Sequence, residues 1–178
     1  GFKSMSFINS NTGWAAGYWA TDVPPNINSF LKTTNAGLNW ELIYADSSPV
    51  YGGYNYDPCN KILFTNEYTG FAVRHSSIGS TIIKSSDGGM SWFSLDSNLT
   101  SYINSMDFIN NDTGWCVGYA GKIIRTNNGG INWSVQQNNV NSFLNSVNFI
   151  DAQTGWAAGN YGVIIKTITG GLTSVVNN

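Results

Sequence analysis

Phe108-Ile109-Asn110-Asn111-Asp112-Thr113-Gly114-Trp115-Cys116-Val117-Gly118 decides how this chain folds. Two short apolar runs flank a cluster of Asn, Asp and Gly, the residue types that close tight turns between paired strands. The pattern continues through a turn at Tyr119 to Gly121, a third run Lys122 to Thr126, a turn at Asn127 to Gly130, and a fourth run Ile131 to Gln136. With Met106 to Ile109 as the first run and Trp115 to Gly118 as the second, the unit reads as four strands in a meander. The same opening recurs as Phe7 to Trp14, Phe64 to Phe71 and Phe149 to Trp156, each ending in Thr-Gly and an aromatic residue.

A second signature follows each opening: Lys32 through Gly37 to Trp40, Lys84 through Gly89 to Trp92, and Arg125 through Gly130 to Trp133. In the fourth copy Lys166 leads to Gly170-Gly171, with Ser174 in place of Trp. Gly114 and Gly155 set a period of about 41 residues, which marks a repeat architecture. Four short strands restarting in register match a propeller blade, and a β-sandwich would not repeat its aromatic and glycine positions this way. The fold expected is all-β, a β-propeller of four four-stranded antiparallel blades, either a four-bladed ring or part of a larger propeller. The blades fall at about 1–44, 45–99, 100–141 and 142–178 of a single propeller region, 1–178.

Composition narrows the function. Charged residues are 10% of the chain and the net charge is -2, so no basic stripe exists for a nucleic-acid backbone. No apolar run approaches the roughly 20 residues of a membrane-spanning helix. Cys59 and Cys116 lack the Cys or His companions of a zinc site and are read as small core residues. No metal and no cofactor is expected.

The repeats resemble the Asp-box (BNR) repeat, and Thr-Gly-Trp-Ala-Ala-Gly followed by Ile-Ile-Lys-Thr and Gly-Gly is most similar to the photosynthesis system II assembly factor-like repeat of secreted bacterial proteins. Ser85, Asp87, Gly89 and Trp92 meet the Asp-box pattern in full, while Asn35 and Asn128 replace the aspartate in two copies. Asn35, Gly37, Trp40, Asp87, Gly89, Trp92, Asn128, Gly130 and Trp133 are assigned to structure: the side-chain oxygen accepts turn N–H groups, glycine takes a left-handed conformation and Trp packs between sheets. The Lys or Arg before each box is read as a solvated edge charge. The tail, 172–178, resembles a linker to a cell-surface sorting domain, which implies export.

Candidate function lies where the copies differ. From the Thr-Gly glycine to the basic residue is 11 positions in the last two copies (Gly114 to Arg125, Gly155 to Lys166), but 19 from Gly13 to Lys32 and 14 from Gly70 to Lys84. Trp40 to Gly70 is likewise longer than Trp92 to Gly114. In a meander these insertions leave at one end, opposite the box turns. They define loops 18–30, 44–58 and 74–81, with Tyr18, Trp19, Asp22, Tyr51, Tyr54, Tyr56, Asp57, Arg74 and His75 as ligand-binding candidates. Rigid aromatic rings beside a few polar groups suit a protein or glycan ligand.

No catalytic residue is assigned. A sialidase-type arginine triad cannot be built from Arg74 and Arg125 alone. Asp22, Asp46 and Asp57 would have to face one another across a groove to serve as an inverting glycosidase pair. The expectation is a non-enzymatic extracellular binding or scaffolding module, with a protein or glycan partner at the cell surface, or further blades or copies of itself. The alternatives are a fragment of a glycoside hydrolase or carbohydrate-binding propeller, and a structural subunit of an extracellular assembly.

Overall fold

The computed structural model describes residues 1–19, 27–46, 59–76, 79–95, 101–171 and 174–176. The chain divides into two compact units, Gly1–Leu95 and Asp96–Asn178, and each holds two four-stranded antiparallel sheets. In the first unit the sheets are β1 (Phe2–Phe7), β2 (Gly13–Trp19), β3 (Ile27–Thr33), β4 (Glu41–Asp46), and β5 (Cys59–Phe64), β6 (Gly70–Ser76), β7 (Gly79–Ser85), β8 (Phe93–Ser94). In the second they are β9 (Ile103–Phe108), β10 (Gly114–Gly118), β11 (Ile123–Thr126), β12 (Ser134–Val135), and β13 (Leu144–Phe149), β14 (Gly155–Gly159), β15 (Ile164–Thr167), β16 (Ser174–Val176). Among the described residues, helical turns are confined to Tyr119–Gly121 and Asn160–Gly162. Strands neighbour one another in chain order, which is the meander that the repeats imply.

The opening motif has a physical reason for each member. Asn9, Asn66, Asn110 and Asp151 each accept two N–H groups of the turn, as Asn110 does from Asp112 at 2.9 Å and Thr113 at 2.7 Å. The Phe ring that ends the first strand lies across the glycine paired with it: a Cβ at Gly114 would stand 2.5 Å from the Phe108 ring, and one at Gly70 2.5 Å from Phe64. No side chain fits there, so each copy keeps glycine opposite phenylalanine.

The aromatic residue after that glycine joins one sheet to the next. Trp14 stacks on Phe64 at 3.8 Å, and its indole N–H donates to the Gly88 carbonyl at 2.8 Å. In the second unit Trp115 repeats both contacts, on Phe149 at 3.5 Å and on the Gly170 carbonyl at 2.9 Å. Phe64 is 5% exposed beneath Trp14, whereas Phe7, at the same motif position in the first sheet, is 46% exposed. Around these pairs lie two cores, one of Trp14, Ala16, Phe30, Ile62, Ala72 and Ile83, the other of Trp115, Val117, Ile123, Leu144, Val147 and Ile165.

Several boundaries differ from the expectation. The fourth strand of the third repeat, expected over 131–136, spans Ser134–Val135. Asn128 Oδ1 accepts the Asn132 N–H at 2.9 Å, which keeps the preceding residues in the turn. The first strand begins earlier than expected, at Ile103. Within the 172–178 tail, Ser174–Val176 are no linker: they pair with β15, Lys166 opposite Ser174 and Ile165 opposite Val175, and complete the fourth sheet. Cys59 and Cys116 are both buried and form no disulfide with each other. Burial pushes the Cys116 thiol well above its ordinary range, which suppresses the reactive thiolate.

Candidate functional site

The insertions lengthen strands. β2 and β3 pair without a break from Gly13↔Thr33 to Trp19↔Ile27, and β6 and β7 from Gly70↔Ser85 to Ser76↔Gly79. The loops expected at 18–30 and 74–81 are therefore narrower: residues 18, 19 and 27–30 of the first, and 74–76 and 79–81 of the second, continue the ladder. Residues 44–46 of the third insertion likewise extend β4, with Asn28 opposite Asp46. Continuing the ladder satisfies backbone groups that a free loop would leave to solvent. Each long strand in these two hairpins has seven residues, against four or five in β10, β11, β14 and β15.

The two long hairpins of the first unit leave it at the same end. Ser4 Oγ accepts the Ile62 N–H at 3.2 Å and Ser6 Oγ accepts the Phe64 N–H at 2.9 Å, so β1 and β5 run side by side in the same direction. Both meanders then turn the same way. The end of β4 at Asp46 and the start of β5 at Cys59 lie at that end too.

Tyr18 and Trp19 occupy the tip of β2, and their side chains lie outside the described residues. Asp22, Tyr51, Tyr54, Tyr56 and Asp57 lie outside the described residues altogether. Arg74 and His75 are both half-buried on β6, opposite Thr81 and Ser80. As neighbours on a strand they point to opposite faces, so they do not form one cluster. Among the described residues no group of His, Cys, Asp and Glu is placed to hold a metal ion.

The box turns are closed by side-chain to backbone hydrogen bonds. Ser85 Oγ accepts the Gly89 N–H at 2.8 Å and donates to Asp87 Oδ1 at 2.8 Å, and Asp87 Oδ1 accepts the Ser91 N–H at 2.9 Å. Thr33 with Asn35, and Thr126 with Asn128, repeat all three bonds. Gly37, Gly89 and Gly130 have φ of 84°, 96° and 84°. Each turn also hooks onto its own first hairpin, as Gly88 N donates to the Tyr68 carbonyl at 2.9 Å.

Asp87 makes this turn acid-sensitive. Partial desolvation pushes its carboxyl up, but hydrogen bonds from the Ser91 hydroxyl and N–H, the Ser85 hydroxyl and the Met90 N–H outweigh that and hold it at about 2, below 3.8. A lowered folded-state value means that the stabilisation is complete above about pH 4 and is lost as pH falls towards 2. Discounted for solvent screening, it amounts to about 1 kcal/mol. We expect Asp87→Asn, the amide already present at positions 35 and 128, to flatten that part of the stability profile. The difference between variant and wild type in urea unfolding at pH 2 and pH 6 measures it; an unchanged slope would remove Asp87 as the cause.

The basic residue before each box covers an aromatic ring, half-buried in the first three repeats and exposed at Lys166. Lys32 lies over Trp14 at 5.0 Å, Lys84 over Phe71 at 5.1 Å, Arg125 over Trp115 at 5.2 Å and Lys166 over Trp156 at 5.7 Å. Each is the cross-strand partner of the ring it covers, which puts the cation over the aromatic face. Sequence reasoning also passed over a cavity of about 310 Å³ beside Arg125 and Trp133. Its signal was in the residues: Arg125 stands where the other three copies have lysine.

Comparison with known proteins agrees with the geometry. Residues 89–175 match the family model of the photosynthesis system II assembly factor YCF48. The chain is similar to a structure of YCF48 bound to D1 peptide, at 22% identity and a TM-score of 0.69 over 99% of this chain and 53% of that one. YCF48 from Cyanidioschyzon merolae gives 17% and 0.65 over 99% and 56% of the two chains. The Niastella koreensis GH74 enzyme gives 15% and 0.70 over 95% and 29%. No curated protein matches. The chain thus spans about half the length of the YCF48 structures, and at these identities the likeness shows the fold. With its four repeats, its four-stranded sheets and the match over residues 89–175, the chain belongs among the BNR-type β-propellers.

Proposed function

We propose that this chain is a non-enzymatic protein-binding propeller module that acts outside the cell. Its partner docks at the end of the first unit where the β2–β3 and β6–β7 hairpins leave the sheets. The observation that carries the reading is the lengthening of these two hairpins to seven-residue strands, in one unit and at one end, while the shared positions of all four repeats are taken up in holding the blades together. Paired strands present side chains with less lost freedom than open loops, which favours binding through them. A protein partner is in keeping with the YCF48 structure, whose title describes a bound peptide. Export is supported by the resemblance of the repeats to those of secreted bacterial proteins.

A displayed random-peptide library selected on the chain tests this. Peptides enriched on the wild type are expected to bind with Kd in the roughly micromolar range. They should lose tenfold or more in affinity when residues 18–28 are replaced by the short turn of the third repeat, Tyr119 to Gly121. Equal binding to both proteins would place the contact elsewhere. Release of reducing sugar from a soluble glucan by the wild type would turn the reading towards a glycoside hydrolase.

A further inference from the structure

The cavity of about 310 Å³ in the second unit is lined by Arg125, Thr126, Asn127, Asn132, Trp133, Ser134 and Gln136. It lies along the β11–β12 hairpin, at the end of its sheet that carries the box turn. Two of its lining side chains bury hydrogen-bond donors that have no partner among the described residues: Arg125 Nε and Trp133 Nε1. A buried N–H without an acceptor is costly, and such pairs are rare enough to call for an explanation.

The second repeat arranges the same donor differently. Trp92, the counterpart of Trp133, donates its indole N–H to the Gly89 carbonyl at 3.0 Å. Both rings keep the same edge contact with their own phenylalanine, Trp92 with Phe64 at 5.9 Å and Trp133 with Phe108 at 6.1 Å. The ring is thus held alike while its donor is left open in the third repeat.

Charge identifies the missing acceptor. Arg125 carries a fixed positive charge, and among the described residues no acidic one lines the cavity. The box position that bears Asp87 in the second repeat is Asn128 here, with its Oδ1 already engaged by Thr126 Oγ1 and the Asn132 N–H. Gly170 and Gly171, after β15, come close to two of the lining side chains: an added Cβ would stand 3.1 Å from Arg125 Nη1 and 3.1 Å from Gln136 Oε1. The remaining lining groups are amides and hydroxyls, which can bind the polar atoms flanking an anion but do not neutralise Arg125.

We propose that this cavity is a second binding site, distinct from the hairpin end, and that it takes a carboxylate belonging to a peptide. Arg125 Nε and the Trp133 indole N–H donate to its oxygens. A planar carboxylate matches the guanidinium fork, and its second oxygen is the acceptor type that the indole N–H lacks. The carboxylate comes from a chain terminus or from an Asp or Glu side chain, which the test separates.

The Trp133 indole N–H is its own reporter in a proton–nitrogen NMR spectrum, assigned by its loss in Trp133→Phe. N-acetylglycine stands for a chain terminus and N-acetylaspartate α-amide for an acidic side chain; the corresponding primary amides are the controls. The indole resonance is expected to move saturably with a carboxylate at ~1–10 mM and not with the amides. Arg125→Lys should weaken that titration about tenfold, because lysine cannot offer the fork. Lys32, Lys84 and Lys166 already occupy this place over an aromatic ring, so the variant keeps the fold. The stronger of the two carboxylates names the source. No saturable shift with either, or an equal shift with the amides, overturns the proposal. The titration is independent of the hairpin end, so its failure leaves the peptide-library result untouched.

Discussion

Trp115→Ala is expected to lower the unfolding free energy of the second unit by about 3–5 kcal/mol, the range for removing a fully buried large aromatic side chain. Three contacts go at once. The ring is fully buried and stacks on Phe149 at 3.5 Å with the planes 5° apart. Its N–H donates to the Gly170 carbonyl 55 residues away, and Arg125 lies over its other side at 5.2 Å. Because the ring bridges the third and fourth sheets, the loss falls on the junction between them. Trp115→Phe separates the parts: it keeps an aromatic ring on Phe149 and deletes the N–H, with an expected cost of about 1–2 kcal/mol. Urea unfolding followed by far-ultraviolet circular dichroism reads both variants. A loss below about 1 kcal/mol in the alanine variant would show that the stacking does not hold the sheets together.

The second large effect is at Gly121. Its φ of 71° favours glycine, but φ is the smaller part of the argument, since Ala120 and Tyr161 adopt positive φ in the same turns of the third and fourth repeats. The decisive feature is space. A Cβ on Gly121 would stand 1.9 Å from the Val140 carbonyl oxygen, a backbone atom that no rotamer change can move. The segment is pinned further by the Gly121 N–H on the Ser142 carbonyl at 2.7 Å and by Asn138 Nδ2 on the Gly121 carbonyl at 2.9 Å. Gly162 is the built-in control, with φ of 73° and nothing within 4 Å of an added Cβ. Gly121→Ala should therefore cost about 2–4 kcal/mol and Gly162→Ala about 1 kcal/mol or less. Matched denaturant unfolding of the pair measures the difference. Equal losses would mean that backbone conformation, and not the approach of Val140, sets the penalty.

Much of the blade was legible before any coordinates. Asn110 and its counterparts, the Phe–Gly pair and the Ser85–Asp87–Gly89 turn all act over a handful of residues, so their spacing in the chain is their spacing in space. Strand ends were less legible. Thr126 and Asn128 draw their neighbours into the turn, which shortens β12, and the extra residues after Gly13 and Gly70 carry on a ladder that local composition does not announce.

For the candidate site, counting residues between Gly13 and Lys32 and between Gly70 and Lys84 located the inserted hairpins, and the parallel course of β1 and β5 puts them at one end of the first unit. Arg74 and His75, adjacent in the chain, are separated on β6 because strand pleating sends neighbours to opposite faces. Lys32 and Arg125 were misread as free edge charges. Their cross-strand partners, Trp14 and Trp115, are set by register and not by proximity in the chain.

The sequence by itself determined the repeat, the four-stranded meander and the chemistry of each turn, because hydrogen bonds within about ten residues and the alternation of a strand are local properties. The tertiary structure alone decided that Trp14 closes on Gly88 and Trp115 on Gly170, that the basic residues cap those rings, and that Trp133 and Arg125 keep buried donors open beside a cavity. Those outcomes depend on atoms brought together from 74 and 55 residues apart, or on the rotation of one indole ring, and packing between sheets sets them.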